Sequence, residues 1–182
     1  MKIYKLYADC NRYQSLVFTS ADDWNIILDH FDGKPLISSW TAPAVQVFRE
    51  DKFTRNLPPS DFPNLVPDVP VFSLRAVNVL QGLLHENGEI LPLSCSEGEY
   101  YAFNVTTSIN ALDESKSEVK RFESSGRIMR IIKYEFFADR LSGATIFKIP
   151  QTRANVFVTD KFRTIVMDNG LIGFEFVNVW EG

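Results

Sequence analysis

The chain has 182 residues, of which 45% are apolar and 23% are charged, and its net charge at pH 7 is −4. These values are typical of a globular protein that can build its core without disulfides or structural metals. Proteins that bind nucleic acid usually present a basic face. Because no run of Lys or Arg here exceeds two residues, we expect no nucleic-acid partner.

The same composition gives an expectation for the compartment. No segment approaches the roughly 20 apolar residues that span a bilayer, and the N-terminus lacks the apolar run of a signal peptide. We therefore expect a cytoplasmic protein with no membrane partner. Its two cysteines, Cys10 and Cys95, are expected to stay reduced in that compartment.

The first third of the chain is predicted to contain three strands and one short helix. Alternation of apolar and polar residues predicts strands over 2–8, 13–19 and 44–49. Ser20 begins a capping-box pattern, and apolar residues then recur at helical spacing over 24–31. Gly33 marks the expected end of this helix.

A proline-rich loop follows over 57–70 and contains five of the nine prolines of the chain. Each proline fixes φ and removes a backbone donor, so neither a helix nor a central strand can pass through. We expect the loop to be extended, ordered and on the surface. Phe62, Val71 and Phe72 are the apolar residues expected to anchor it to the core.

The next helix has clear local signals. Ser73 is a good N-cap, apolar residues recur on one face over 76–84, and Gly88 stands at the expected C-terminal position. Gly82 lies inside the helix and costs about 1 kcal/mol relative to Ala. Either the apolar face outweighs this cost, or the backbone approaches a neighbour closely at Gly82.

The remainder is predicted to be rich in strands. They are expected over 90–94, 100–105, 128–137, 144–149, 156–158 and 173–180, with a helix over 160–167 that Thr159 would cap. The charged stretch 110–125 is either a loop or a short helical excursion. Since no regular strand–helix–strand alternation is present, we predict an α+β fold with a mostly antiparallel twisted sheet and about three short helices, in a single domain over 1–182.

Motifs of catalysis are missing from the sequence. It contains no nucleophile elbow, P-loop or dinucleotide-binding glycine pattern. His30 and His85 each lie near the end of a predicted helix, where a cation interacts well with the dipole, and neither has the paired spacing of a zinc site. We therefore predict no catalytic residue, no metal and no cofactor. A hydrolase that uses Cys95 with His85 remains an alternative.

Several segments, taken in order, resemble one known family. They are DFPNLVPDVPVFSLRAVNVLQGLL, ENGEILPLSCSEGEYYAFNV, IFKIP, FVTDKF and GLIGFEFVNVW. Together these segments, which cover 61–180, resemble a bacterial immunity family of the polymorphic toxin systems, immunity protein family eleven. Proteins of this kind are encoded beside a toxin and neutralise it by stoichiometric binding. The resemblance therefore implies a protein that binds a toxin and is not an enzyme.

Five acidic residues are the candidate contacts with a basic toxin surface: Asp61, Asp68, Asp113, Glu114 and Glu118. Opposite charge speeds the encounter of two proteins, although an ordinary solvated role is the default for each acid. A homodimer is left open. A structural or adaptor protein of a secretion or phage-like assembly is a further alternative, suggested by the strand-rich composition.

Overall fold

The computed structural model describes residues 1–20 and 31–182. Within them, eleven strands and two α-helices form the α+β fold that the sequence predicts, and all strand pairings within its sheets are antiparallel. The first predicted helix falls mostly on 21–30 and so lies outside the described residues. No helix among the described residues has the length and apolar character needed to cross a membrane.

The eleven strands of residues 1–20 and 31–182 form four sheets. The elements are β1 (Lys2–Ala8), β2 (Leu16–Phe18), β3 (Val45–Val47), β4 (Val71–Ser73), α1 (Leu74–Asn87), β5 (Gly88–Pro92), β6 (Tyr100–Val105), β7 (Glu118–Arg121), β8 (Ile128–Lys133), β9 (Ile146–Ile149), β10 (Thr152–Thr159), α2 (Asp160–Asp168) and β11 (Phe174–Glu181). The largest sheet has the order β11-β1-β10-β9, and a three-stranded sheet has the order β4-β6-β5. The strands β2 and β3 pair with each other, as do β7 and β8.

The four-stranded sheet has a separate apolar cluster on each face. Because side chains alternate along a strand, Tyr4 and Leu6 of β1 pack in one cluster while Ile3 packs in the other. The apolar faces of α1 and α2 cover the first cluster. The second face is covered by residues of 111–141, including Tyr134 and Phe136.

The three-stranded sheet divides the first cluster from a third group of apolar residues. Phe72 and Phe103 point into the cluster beneath the helices. Val71 and Ala102, their neighbours along the strands, pack instead against β2, β3 and the proline-rich loop. Both faces of the three-stranded sheet and of the four-stranded sheet are therefore buried. The packing on the three-stranded sheet fixes the position of the proline-rich loop.

The proline-rich loop is not on the surface over most of its length, and that prediction is wrong. Leu65, Val66 and Val69 are buried because they cover one side of the three-stranded sheet, and Phe62 is buried in the cluster beneath the helices. Phe62, Val71 and Phe72 are all buried, as their expected anchoring role requires. Beyond Phe62, the exposed part of the loop is limited to 67–68.

The helix α1 follows its local signals at both ends, with one difference. The Ser73 Oγ accepts a hydrogen bond from the Ala76 N–H at 3.1 Å, as an N-cap should. Gly88 ends the helix, but in extended rather than left-handed geometry, because it begins β5 at once. A Cβ at Gly88 would lie 2.2 Å from the Asn104 carbonyl oxygen, so glycine is required by close approach. Gly82 has no atom within 4 Å of an added Cβ, which rules out close packing there.

Two further predictions need correction. The stretch 110–125 is neither helix nor simple loop, since it includes β7, whose Val119 pairs with Ile131 and packs on the core. Thr159 does not cap α2 with its side chain, because its Oγ1 donates instead to the Ala144 carbonyl oxygen at 3.1 Å. The spacing of apolar residues in α2 predicts that Phe162, Ile165 and Val166 face inward; Phe162 and Val166 are fully buried, and Ile165 is partly buried against the same cluster.

Candidate partner-binding site

Asp61 is a structural acid that joins three parts of the chain. Its carboxylate accepts hydrogen bonds from the Ser73 Oγ at 2.8 Å and the Ile172 N–H at 3.0 Å. It also forms an ion pair with the Arg75 guanidinium at 2.6 Å. Its side chain is only 8% exposed. Since both oxygens are held internally, Asp61 fixes the proline-rich loop to α1 and to the turn before β11.

Asp113 has a similar internal role in another loop. Its carboxylate accepts from the Ser115 Oγ at 2.6 Å and from the Ser115 N–H at 3.1 Å, and Lys116 approaches at 3.5 Å. The hydrogen bond from the Ser115 hydroxyl is the main reason that the pKa of Asp113 is lowered. The side chain is 6% exposed, so it stabilises the turn that leads into β7.

Glu114 and Glu118 are exposed, unlike Asp61 and Asp113. Glu114 forms an ion pair with Arg121 at 2.7 Å and accepts from the Gln151 side chain at 3.1 Å. Glu118 lies on β7, opposite Lys133 of β8. Both carboxylates are open to a partner, but each already has a basic neighbour within the chain.

Asp68 lies at the outermost part of the proline-rich loop. Its φ is +72°, a left-handed conformation that Asp tolerates better than most residues. The residue is exposed, yet partial desolvation of its carboxylate raises its pKa, while Lys148 and Lys5 act in the opposite direction. Asp68 therefore presents a carboxylate to solvent within the field of two lysines.

A cavity of about 270 Å³ opens beside Asp68. Its walls are the proline-rich loop, the end of β1 and residues 155–156 of β10, and they include the apolar side chains of Leu6, Phe62 and Val66. The volume lies below the roughly 300–1,000 Å³ of small-molecule sites.

Lys148 is a residue of this region that sequence reasoning did not single out. It is 4% exposed, and its Nζ donates to the Phe31 carbonyl oxygen at 3.0 Å. Burial lowers the pKa of Lys148, and the Asp68 and Asp32 carboxylates partly offset this. The sequence signal that could have identified Lys148 is a lone lysine inside the apolar run IFKI. A cation buried in this way requires acceptors close to it.

The structure brings the five predicted acids to two regions. Asp61 and Asp68 belong to the proline-rich loop, whereas Asp113, Glu114 and Glu118 surround the start of the β7–β8 hairpin. Only Asp68 of the five lines the cavity.

Cys95 and His85, the alternative catalytic pair, have different surroundings in the structure. Cys95 packs against the apolar group under the proline-rich loop, and His85 is exposed on α1. Both Cys10 and Cys95 are free thiols. Within the described parts of the chain, no three His, Cys, Asp or Glu residues are grouped so as to hold a metal ion.

The comparison with known families concerns the second half of the chain. Residues 93–181 match the Immunity protein family, Imm11. The match covers just under half of the chain and begins after the proline-rich loop. It confirms the resemblance to this family that the sequence predicts. No curated protein gives a significant match to the chain.

The Imm11 match bears on role as well as on family. It supports an immunity-protein role, with a toxin as the general kind of partner, and it favours an inhibitor over an enzyme. Asp113, Glu114 and Glu118 lie inside the matched residues, whereas Asp61 and Asp68 precede them. The cavity is built from both regions, because residues 155–156 face the proline-rich loop across it.

Proposed function

We propose that this chain is a cytoplasmic bacterial immunity protein that neutralises a cognate toxin of a polymorphic toxin system by stoichiometric binding. The observation that carries the proposal is the Imm11 match over residues 93–181. Such a role needs a preformed surface and no chemistry.

The cavity beside Asp68 is the surface that we assign to the toxin. The loop that forms its wall contains prolines, and its apolar anchors are buried. A rigid loop loses little conformational entropy on binding, so more of the contact energy appears as affinity. An apolar side chain of the toxin would enter the cavity, and a basic group would meet the Asp68 carboxylate at its mouth.

The other four acids divide into two roles under this proposal. Glu114 and Glu118 are exposed and would meet basic groups of the toxin around the β7–β8 hairpin. Asp61 and Asp113 hold the two loops in place from inside. The protein would act as one domain over residues 1–182, as a monomer or a homodimer.

The test is co-expression with the toxin that the neighbouring gene encodes. Wild-type protein should restore growth and co-purify with the toxin in equal amounts. If growth is not restored and the two proteins do not co-purify, the proposed function is wrong.

A pair of matched variants tests the assigned surface. Asp68→Asn removes the charge and keeps a residue type that accepts a positive φ. Glu50→Gln makes the equivalent change at an exposed acid beyond β3. Asp68→Asn should weaken toxin binding in a titration, whereas Glu50→Gln should leave it unchanged; equal affinities for both would remove Asp68 from the interface.

A further inference from the structure

A second groove lies between the β7–β8 hairpin and one face of the four-stranded sheet. Its volume is about 570 Å³, and its floor includes Lys5, Tyr7 and Val177. All six residues of β8 line the groove, and none of the residues of β7 does. The strand β8 is therefore the wall of the groove, with β7 behind it.

Among the residues that the structure describes, this arrangement leaves one edge of β8 without a strand beside it. β8 pairs with β7 along its other edge, and no further strand of the described residues pairs with it. An unpaired edge presents a row of backbone donors and acceptors that can accept an added strand. Six residues of β-strand span about 20 Å, which is enough to pair with a short extended segment.

The charge of the groove is positive, in contrast to the chain as a whole. It is lined by Lys5, Arg130 and Lys133, and none of its lining residues is Asp or Glu. Lys133 already pairs with Glu135 at 2.8 Å. Burial lowers the pKa of Lys5 and the positive charge of Arg130 lowers it further, while the Asp68 carboxylate acts in the opposite direction. Lys5 and Arg130 line the same groove.

Within the part of the chain that the structure describes, Arg130 lacks an acidic partner, unlike Lys133. No carboxylate of the described residues forms an ion pair with Arg130, and its neighbour across the hairpin is another cation, Lys120. Like charges that face each other across a strand pair are destabilising. The hairpin over 118–133 has five cations and two acids, although the net charge of the chain is −4. An anionic partner would relieve this repulsion.

We propose that the groove accepts an extended acidic segment of the toxin, which adds to the free edge of β8 and places its carboxylates against Lys5 and Arg130. This inference rests on the proposed function and names the part of the toxin that the groove recognises. Tyr7 and Asn155 line both the groove and the cavity beside Asp68, so one toxin molecule can occupy both. Exposed Met129 and Ile132 on β8 offer apolar contact to the same segment.

The first test measures binding of the purified toxin domain, encoded by the neighbouring gene, to charge variants of the full chain. The double variant Lys5→Gln with Arg130→Gln should raise the Kd for the toxin domain about tenfold or more, as expected when charge pairs in an interface are lost. The double variant Lys52→Gln with Arg55→Gln is the matched control, since it removes two exposed cations that lie outside the groove. It should change the Kd by less than about twofold. Unchanged melting temperatures would show that the variants are folded.

The second test uses wild-type protein and does not depend on variants. Hydrogen exchange should show that amides within Ile128–Lys133 become protected when the toxin binds. If wild-type protein binds the toxin but β8 gains no protection, and the Lys5/Arg130 variant binds as well as the Lys52/Arg55 variant, the groove proposal is wrong while the proposed function stands. If wild-type protein does not bind the toxin at all, the proposed function itself fails.

Discussion

Replacement of Asp61 tests whether this acid holds the proline-rich loop in place. Asp61→Ala removes the acceptor for the Ser73 hydroxyl, the Ile172 N–H and the Arg75 guanidinium. Removal of one partner from a buried charged pair costs about 3–5 kcal/mol, and each unsatisfied buried donor costs about 1–3 kcal/mol. The Arg75 side chain is 52% exposed, so water can solvate it after the change, which places the total at the low end.

We therefore expect Asp61→Ala to lower the free energy of unfolding by about 3 kcal/mol. Urea denaturation followed by circular dichroism measures this quantity directly. Asp139→Ala is the matched control, because Asp139 is an exposed acid in a short 3-10 helix. Its replacement should change stability by less than about 0.5 kcal/mol. A loss below about 1 kcal/mol for Asp61→Ala would refute the structural role, since even one of its charge-assisted hydrogen bonds should contribute more.

Three other substitutions give distinct outcomes. Gly82→Ala should stabilise the protein by about 0.5–1 kcal/mol, because the added Cβ meets no atom and the helix gains propensity; a destabilised variant in urea denaturation would contradict this. Gly173→Ala should destabilise more than Gly143→Ala, since both glycines have positive φ but only at Gly173 does the new Cβ overlap the Ser60 hydroxyl; equal losses in a thermal melt would contradict the close approach. Burial raises the pKa of Tyr134 to about 12, so its stabilising contribution is complete below pH 10 and is lost as the pH rises from 10 to 12. Over this pH range, Tyr134→Phe should therefore lose up to about 2.7 kcal/mol less unfolding free energy than the wild-type protein. Equal losses for both proteins in urea denaturation at pH 10–12 would refute this.

Local signals in the sequence were sufficient for some elements. The alternation in β1 predicts its bounds, and Ser73 predicts the start of α1, because both effects act over a few neighbouring residues. The antiparallel α+β class also follows from the order of the elements. Family resemblance then supplied the expected role, since no residue pattern by itself identifies a toxin inhibitor.

Long-range contacts decided the rest. Asp61 and Asp68 are similar acids seven residues apart, yet Asp61 is buried because Arg75 and Ile172 meet it from distant parts of the chain. The strand β7 arises in a charged segment because β8 pairs with it. A single sequence does not specify such partners, so the sequence could name candidate acids but not separate structural from exposed ones.

The groove beside β8 could not be predicted for the same reason. Lys5 and Arg130 are far apart in the sequence and come together only when the hairpin folds over the four-stranded sheet. The prediction of an acidic interface was based on the net charge of the chain. A net charge does not reveal that one hairpin of an acidic chain is basic.

The most direct test of the account is a titration of toxin activity with the purified protein. Stoichiometric binding predicts that activity falls linearly and reaches its minimum at one equivalent of protein per toxin, without change over longer incubation. Toxin activity that disappears progressively at a small fraction of an equivalent would indicate catalysis by the protein, and activity that persists at excess protein would indicate no inhibition. Either of these results would contradict an immunity protein that acts by occupying its toxin.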